Sequence, residues 1–338
     1  MATLHDVIPP FQLFQPTSLD EALALLEAHG DEAWIMAGGM DSFDWLKDRT
    51  KRTGIVIELS LVEELQGIRE AADGGLEIGA TTTLTDLSEH QLVRERFGVL
   101  AEAAGLVASP QIRNQGTLGG NVSQDTRCWY YRSGWTCYRA GGNTCYADTP
   151  SAVNREHAIL HASRCVAVSP SDTAPALVAL DAQMVIRRGG RERVVDVADY
   201  FVGPNVDIRR MTVLEPGDLL TTIRIPATWA GARFYFEKVR DRNVWDFPLV
   251  NVASAVKEGG GRIDDARVVV GAVAARPLRL RAVEEAVIGE PLNAQTIARA
   301  GELAIRGARP LRFNAYKVPL MRNLVQRAVR GGPLEATA

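Results

Sequence analysis

The sequence predicts a mixed α/β protein of the α+β class, built from more than one domain. Its 338 residues exceed the ~100 to 200 residues of a typical domain, so two or three domains are expected. Apolar residues make up 46% of the chain and charged residues 23%, which is typical of a folded globular protein and excludes disorder, collagen-like repeats and coiled coils. Strand patterns alternate with helix patterns along the whole chain.

The first unit is predicted over residues 1–60. Its elements are a helix that is capped by Ser18 and ends at Gly30, a strand at 34–36 and a strand at 54–59. Ser18 and Glu21 have the spacing of a capping box, and glycine commonly follows the last helical turn. A strand, a glycine turn and a second strand together indicate a small α/β unit.

Two further units are predicted over residues 61–215 and 216–338. The expected elements of the second unit are a strand at 76–80, a helix at 93–106, a short helix capped by Asp172 and a strand at 183–187. The expected elements of the third are a strand at 234–239, an apolar run at 268–275 and helices near 280–288, 294–306 and 315–330. The second unit contains a cysteine-rich loop at about 125–168.

Charge and missing motifs exclude several function classes. The formal net charge of −3 gives no electrostatic reason to expect nucleic acid. No run approaches the ~18 apolar residues of a membrane span, and residues 1–15 lack the pattern of an export signal, so we expect a soluble chain without a signal of its own. The usual dinucleotide and P-loop motifs are missing. No nucleophile with a neighbouring base is identifiable, so we assign no catalytic residues.

Two glycine turns are candidates for a ligand site. They run from Ala37 to Ser42 and from Gly116 to Asn121, one in each of the first two units. Glycine has no Cβ, so the backbone N–H groups of such turns can approach phosphate oxygens closely. Each turn taken singly fits an ordinary loop. Their occurrence in successive units favours a ligand that both units share.

All four cysteines, Cys128, Cys137, Cys145 and Cys165, fall within one 38-residue window. Four thiolates can hold a four-iron cluster. The intervening gaps of 8, 7 and 19 residues match neither the zinc ribbon nor the bacterial ferredoxin spacing, so two disulfides or four separate core cysteines fit the spacing equally well.

The residues around the cysteines favour a metal centre. Six aromatic residues lie between positions 128 and 146, where they would exclude water from a cluster, although packing of a small satellite core would also explain them. Arg127, Arg132 and Arg139 would offset the negative charge of a cluster. His157 and His161 are spaced as a metal pair on a helix, but we interpret them as ordinary packing or surface residues.

Several strings in a fixed order resemble the FAD-binding subunits of molybdenum hydroxylases, the family that includes the flavin parts of xanthine dehydrogenases, carbon monoxide dehydrogenases and aldehyde oxidoreductases. The strings are Ala37-Gly38-Gly39-x-Asp41, Ile78-Gly79-Ala80-Thr81-Thr82-Thr83, Gln111-Ile112-Arg113-Asn114-Gln115-Gly116-Thr117-Leu118-Gly119-Gly120-Asn121, Pro170-Ser171-Asp172-x-Ala174-Pro175-Ala176-Leu177, Phe236-Glu237-Lys238-Val239-Arg240, Val270-Gly271-Ala272-Val273 with Arg276-Pro277, and Asn314-x-Tyr316-Lys317-Val318. The string around Cys128 is similar to the periplasmic aldehyde oxidoreductases, whose FAD subunit carries an extra [4Fe-4S] cluster.

The resemblance implies a two-subdomain FAD-binding domain of the p-cresol methylhydroxylase (PCMH)/vanillyl-alcohol-oxidase-like type, followed by a C-terminal α+β domain. The FAD-binding residues that it implies are Ala37, Gly38, Gly39, Met40, Asp41, Ser42, Thr81, Asp86, Gly116, Thr117, Gly119, Gly120, Asn121, Asp172 and Lys238. Lys238 is expected near the flavin ring, and Asp172 near the ribityl or adenosine end. Met40 stands where the family usually has threonine or serine, so one hydroxyl contact to phosphate is lost. The cluster ligands implied are Cys128, Cys137, Cys145 and Cys165.

The resemblance also implies a division of labour. A large subunit with molybdenum cofactor would oxidise an aldehyde or N-heterocycle, a small [2Fe-2S] subunit would relay electrons, and FAD here would pass them to an external acceptor. The chain alone is expected to bind FAD without oxidising aldehydes. Two other readings are a self-contained MurB-like flavin oxidase or reductase and a non-flavin interaction module with a structural metal or a disulfide-bonded loop.

Overall fold

The computed structural model describes residues 8–332 and contains three units, each with its own β-sheet. The N-terminal unit has a three-stranded parallel sheet, and the middle and C-terminal units have antiparallel sheets of five and four strands. Helices cover these sheets. The mixed α/β class predicted from the sequence is therefore confirmed. No helix within residues 8–332 is long and apolar enough to cross a membrane.

The N-terminal unit forms as its patterns predict. Its elements are β1 Gln12–Phe14, α1 Leu19–His29, β2 Ala33–Met36, α2 Ser42–Lys47 and β3 Ile55–Glu58. The Ser18 cap is confirmed, since the Glu21 backbone N–H donates to Ser18 Oγ at 3.2 Å. The Glu21 carboxylate accepts from Thr17 N at 2.9 Å, one residue before the N–H that a capping box uses. Strand β3 lies between β1 and β2. Helix α2 starts directly after the first glycine turn.

The middle unit packs several short helices against its sheet. Its strands are β4 Ile68–Glu70, β5 Leu76–Gly79, β6 Gln183–Arg188, β7 Arg191–Asp196 and β8 Leu219–Ile225. Its helices are α3 Leu84–Glu89, α4 Gln91–Arg96, α5 Gly98–Gly105, α6 Pro110–Arg113, α7 Leu118–Ser123, α8 Trp129–Arg132, α9 Thr173–Ala179 and α10 Val197–Tyr200. The helix predicted at 93–106 is interrupted at the fully buried Phe97, where the backbone leaves the helical region.

Two details of the middle unit differ from the sequence predictions. The Asp172 side chain does not cap α9; instead Ser171 Oγ accepts the Ala174 N–H at 3.0 Å, because Asp172 is held by an ion pair described below. Strand β8 pairs with β5 and β6, so the middle sheet extends past the boundary predicted at residue 215. The Pro216-Gly217 turn therefore leads into a strand of this unit.

The C-terminal unit has helices on one face of its sheet and the middle unit on the other. Its elements are β9 Arg233–Val239, β10 Val250–Gly259, β11 Arg262–Gly271, β12 Leu278–Arg279, α11 Arg281–Val287, α12 Ala294–Ala304 and α13 Lys317–Arg330. In β10, Val252 and Val256 belong to the helix-side core, whereas Ala253 and Ala255 belong to the core shared with the middle unit. Both faces of the strand are buried, which explains why its sequence lacks an alternating pattern.

The start of α13 fastens the C-terminal unit to the cysteine-rich loop. Asn314 is fully buried, and its amide donates to the carbonyls of His157 at 2.9 Å and Ala158 at 3.2 Å. Its carbonyl accepts the Leu311 N–H at 2.6 Å. Lys317 Nζ donates to the carbonyls of Glu156 and Ala272, both at 2.7 Å. These bonds satisfy irregular backbone that would otherwise be buried without partners.

We therefore predict that Asn314→Ala destabilises the protein by about 3 kcal/mol, because three hydrogen bonds of about 1 kcal/mol each are lost. The free energy of unfolding measured by urea titration tests this. Asn205→Ala, at an exposed position, is the matched control and should change the free energy of unfolding by less than about 0.5 kcal/mol. Equal effects of the two substitutions would contradict this role for Asn314.

Candidate functional site

A large cleft lies between the three units, with a volume of about 960 Å³. This volume is at the upper end of the ~300 to 1,000 Å³ range of small-molecule sites, so an extended ligand fits. The N-terminal unit contributes the turn at 37–42, the middle unit contributes the turn at 116–121, and the C-terminal unit contributes residues 244–247.

Most of the residues predicted to bind FAD lie on the wall of this one cleft. They are Ala37, Gly38, Gly39, Met40, Asp41, Ser42, Thr81, Gly116, Thr117, Gly119, Gly120, Asn121 and Asp172. The cleft brings together residues that are up to 135 positions apart in the sequence. Their contacts with FAD itself stay a prediction.

The two glycine turns touch each other at the bottom of the cleft. A Cβ on Gly38 would lie 1.7 Å from the backbone oxygen of Gln115, so no larger residue fits there. A Cβ on Gly119 would similarly lie 2.7 Å from the Ala80 oxygen, and the Gly119 N–H donates to that oxygen at 2.8 Å. Thr117 caps α7 by accepting the Gly120 N–H at 3.1 Å. The missing side chains therefore permit the close backbone approach that forms the site.

Several polar groups of the cleft are fixed by neighbours. Asn121 Oδ1 accepts from Ser171 Oγ at 2.6 Å and from Thr173 Oγ1 at 2.7 Å, so the Asn121 NH₂ group remains for a ligand acceptor. Ser42 Oγ accepts from Trp34 Nε1 at 3.0 Å. The Met40 side chain is 41% exposed and offers no hydroxyl, as the sequence indicates.

Two of the predicted residues lie outside the cleft lining. Asp86 is exposed at the start of α3, where its carboxylate accepts from Thr83 Oγ1 at 2.7 Å. Lys238 is buried behind the wall, and its amine donates to Asp172 Oδ2 at 2.6 Å, Leu106 O at 3.0 Å and Asp246 O at 2.8 Å. An ammonium has three donors, so this arrangement leaves none for the flavin ring.

Lys238 instead positions Asp172 and the loop at 244–247. The two side chains form an ion pair with 0% and 2% exposure, and Asn251 Nδ2 donates to the other Asp172 oxygen at 3.0 Å. Burial raises the pKa of Asp172, while the Lys238 ammonium acts in the opposite direction. Removing one member alone would leave a buried, unpaired charge.

Sequence reasoning missed part of the cleft. Val244, Trp245 and Phe247 are large apolar residues with 51%, 65% and 40% exposure, and all three line the cleft. Three large apolar residues within four consecutive positions of a charged loop were a usable signal in the sequence, because aromatic residues in loops often bind planar ligands. Arg209 and Arg210 also line the cleft, and adjacent arginines are a common anion-binding pattern.

The four cysteines face a second, smaller cavity beside the cleft. Cys128, Cys137, Cys145 and Cys165 line it together with three tyrosines, Arg139 and small apolar residues. All four thiols are free, so the disulfide alternative does not describe this structure. Tyr130, Trp135 and Tyr146 pack against one another with ring centroids 4.8 to 6.2 Å apart. The aromatic residues thus form part of the cavity wall.

Backbone N–H groups act to lower the pKa of three of the four cysteine thiols. They belong to Tyr130 and Tyr131 at Cys128, to Ala147, Asp148 and Val166 at Cys145, and to Ala167 at Cys165. Hydrogen bonds from these groups favour the thiolate. Burial is the larger effect and raises the pKa of Cys128 to about 12. A thiolate in this cavity therefore needs a positive partner such as a metal.

Within residues 8–332, no three Cys, His, Asp or Glu side chains form a group that could hold a metal ion. His157 and His161 are not a pair, because this segment is not helical and His161 is exposed. His157 Nε2 lies 3.3 Å from Cys128 Sγ, and burial together with Lys317 lowers the His157 pKa to about 4. His157 is therefore neutral at pH 7.

The three arginines expected to offset a cluster's charge have different partners. Arg127 and Arg132 pair with Asp41 of the first glycine turn at 2.8 and 2.5 Å. Arg139 lines the cysteine cavity and pairs with Asp125 at 2.6 Å, and Lys51 lies 3.2 Å from the same carboxylate. Each of these three arginines therefore binds a carboxylate that lines the large cleft.

Comparisons with known proteins agree with this geometry. Residues 9–228 match the family of the FAD binding domain in molybdopterin dehydrogenase, and residues 234–331 match the CO dehydrogenase flavoprotein C-terminal domain. The aldehyde oxidoreductase FAD-binding subunit PaoB of Escherichia coli (strain K12) is 35% identical over 272 residues, 79% of this chain and 82% of PaoB. The carbon monoxide dehydrogenase medium chain of Hydrogenophaga pseudoflava is 28% identical over 96% of this chain and 97% of its own length.

A solved structure shows the same architecture. Carbon monoxide dehydrogenase from Hydrogenophaga pseudoflava, in a form that lacks the Mo-pyranopterin moiety of the molybdenum cofactor, superimposes with a TM-score of 0.77 and 27% identity. The match covers 96% of this chain and 98% of that chain. The expected FAD-binding domain followed by a C-terminal domain is confirmed. The chain therefore belongs to the FAD-binding medium subunits of the molybdenum hydroxylases.

Proposed function

We propose that this chain is the electron-transferring FAD subunit of a three-subunit molybdenum-containing aldehyde oxidoreductase. It takes electrons from a small [2Fe-2S] subunit and passes them to an external acceptor, while a large molybdenum-cofactor subunit oxidises the aldehyde. The cleft between the three units carries this proposal, because it combines the volume, the glycine turns and the exposed aromatic residues that an extended flavin nucleotide requires.

Different residues of the cleft bind different parts of FAD. The turn at 37–42 holds the diphosphate through backbone N–H groups. The second turn adds the side-chain NH₂ group of Asn121, because the N–H groups of residues 118–121 donate to acceptors within the protein. Bound FAD supplies chemistry that joins two-electron and one-electron carriers. The residues that line the cleft exclude water from the flavin. Lys238 holds Asp172 and the loop at 244–247 in place.

A [4Fe-4S] cluster on Cys128, Cys137, Cys145 and Cys165 is part of the proposal. The described residues 8–332 contain no group of three side chains for a single metal ion, but a four-iron cluster takes one thiolate per iron, and four free thiols line the wall of one cavity. The N–H groups that favour the thiolates and the aromatic wall suit an iron–sulfur centre, since hydrogen bonding and burial set its potential. The aldehyde assignment is supported by the 35% identity to PaoB, which is named an aldehyde oxidoreductase subunit.

Anaerobic purification of the full chain tests this function. We expect a yellow-brown protein with bound FAD, about four iron and about four sulfide per chain, and no aldehyde oxidation without the other subunits. Optical spectra, iron and sulfide analysis and an aldehyde assay measure these properties. Aldehyde turnover by the chain alone would contradict the division of labour, and material without flavin would contradict the FAD site.

Contact between the two glycine turns should be required for FAD binding. Gly38→Ala puts a methyl group against Gln115 O, and overpacking of about 1 to 3 kcal/mol corresponds to a loss in FAD affinity of roughly 5- to 150-fold. Fluorescence titration of the flavin-free protein with FAD measures it. Gly54→Ala is the control, since a Cβ at the exposed Gly54 meets nothing within 4 Å. Unchanged affinity in Gly38→Ala would show that the diphosphate binds elsewhere.

A further inference from the structure

Asp41 stands between the flavin cleft and the cysteine-rich loop. It belongs to the first glycine turn, lines the cleft and directly precedes α2. Its Oδ1 accepts from Arg127 Nη2 at 2.8 Å and from Arg132 Nη2 at 2.5 Å. Its Oδ2 accepts from Trp45 Nε1 at 3.0 Å. Both oxygens of the carboxylate therefore have partners.

The two arginines flank the first cysteine of the loop. Arg127 directly precedes Cys128 in the sequence, and the Arg132 N–H donates to Cys128 O at 2.9 Å in the single turn of α8. The backbone that carries both guanidinium groups is therefore continuous with Cys128. Arg132 is held further by Trp45, whose ring centroid is 3.9 Å from the guanidinium carbon.

Little regular structure holds the cysteine-rich loop in place. Between Ser133 and Asp172 the described backbone contains one 3₁₀ turn, Tyr138–Ala140, and no α-helix or β-strand. The local apolar cluster has three buried members, Trp45, Tyr131 and Cys137. A metal centre that joins four cysteines would cross-link this loop, and binding of such a centre is coupled to local folding.

The charge of Asp41 matters because of its place in the cleft. A carboxylate beside the turn that receives a diphosphate repels that ligand unless cations neutralise it. Arg127 and Arg132 of the cysteine-rich loop provide this neutralisation in the structure. Asp44 offers a contrast, since its carboxylate is 59% exposed and lies 3.8 Å from each arginine.

We propose that Asp41 couples the two cofactor sites of this chain. With the metal centre in place, Arg127 and Arg132 neutralise Asp41 and FAD binds tightly; without the centre, the freed carboxylate opposes the diphosphate. By reciprocity, bound FAD favours retention of the metal centre. This inference rests on the proposed [4Fe-4S] and FAD sites, and it assigns Asp41 a positioning and charge-switching role.

A linkage measurement on the full chain tests the proposal. FAD affinity is measured by fluorescence titration of flavin-free protein, before and after iron is removed with ferricyanide and EDTA. We expect iron removal to weaken FAD binding about tenfold in the wild type, within the ~5- to 150-fold range of coupled sites. In Asp41→Asn the same treatment should change affinity less than about twofold, because no carboxylate remains to repel the diphosphate. The control Asp44→Asn should behave as the wild type.

A second readout does not require a stable iron-free protein. Iron release to a chelator is followed with and without FAD, starting from metal-loaded, flavin-free protein. FAD should slow iron release in the wild type and in Asp44→Asn, but not in Asp41→Asn. Asparagine can still accept the Trp45 N–H, so the fold of this variant is expected to be intact, which circular dichroism checks.

The outcomes separate this inference from the proposed function. Freshly purified protein without iron or without flavin overturns the proposed sites and the coupling with them. Iron and flavin both present, with FAD affinity and iron release independent of each other, overturns the coupling alone. Equal linkage in Asp41→Asn and the wild type shows that the coupling runs through other residues and also overturns the role of Asp41.

Discussion

The close approach of two glycine turns is the constraint on which the cleft depends. Gly38 and the Gln115 backbone are so near that even a methyl group would collide, and this contact joins the N-terminal unit to the middle unit. Both turns then line the same cleft, where the backbone N–H groups of the first turn and the side-chain NH₂ group of Asn121 are the donors for one anionic ligand. The C-terminal unit closes the cleft with a loop that the buried Lys238–Asp172 pair anchors.

Local sequence patterns predicted much of the fold because they depend on local chemistry. The Ser18 cap, the strand near 34–36 and helix α12 each need only neighbours within a few positions. Strand β10 was missed, since burial on both faces removes alternation. The predicted boundary at residue 215 falls before β8, which belongs to the middle sheet. A Pro-Gly turn has the same sequence pattern within a domain as between domains, so it could not locate the boundary.

The parts of the candidate site that consist of glycine turns and cysteines were predictable from the sequence. The parts that depend on contacts between residues distant in the sequence were less predictable. The two turns and the four cysteines are visible as strings, and the structure places each set around one cavity. Lys238 was expected at the flavin ring, but its partner Asp172 lies 66 residues earlier, and no local pattern reveals that pair. The same holds for Asp41 with Arg127 and Arg132, which join a turn to a distant loop.

The large cleft and the cysteine-lined cavity, which are the proposed flavin and metal sites, adjoin in the structure. The carboxylates of Asp41 and Asp125 line the cleft and bind arginines of the cysteine-rich loop, so the two cavities share one charged wall. The most direct test of the central claim is a crystal structure of the anaerobically purified chain with FAD bound. We predict the diphosphate within hydrogen-bonding distance of the backbone at 38–42 in the first turn and of the Asn121 side chain in the second. A diphosphate that contacts neither turn, or only one of them, would contradict the account.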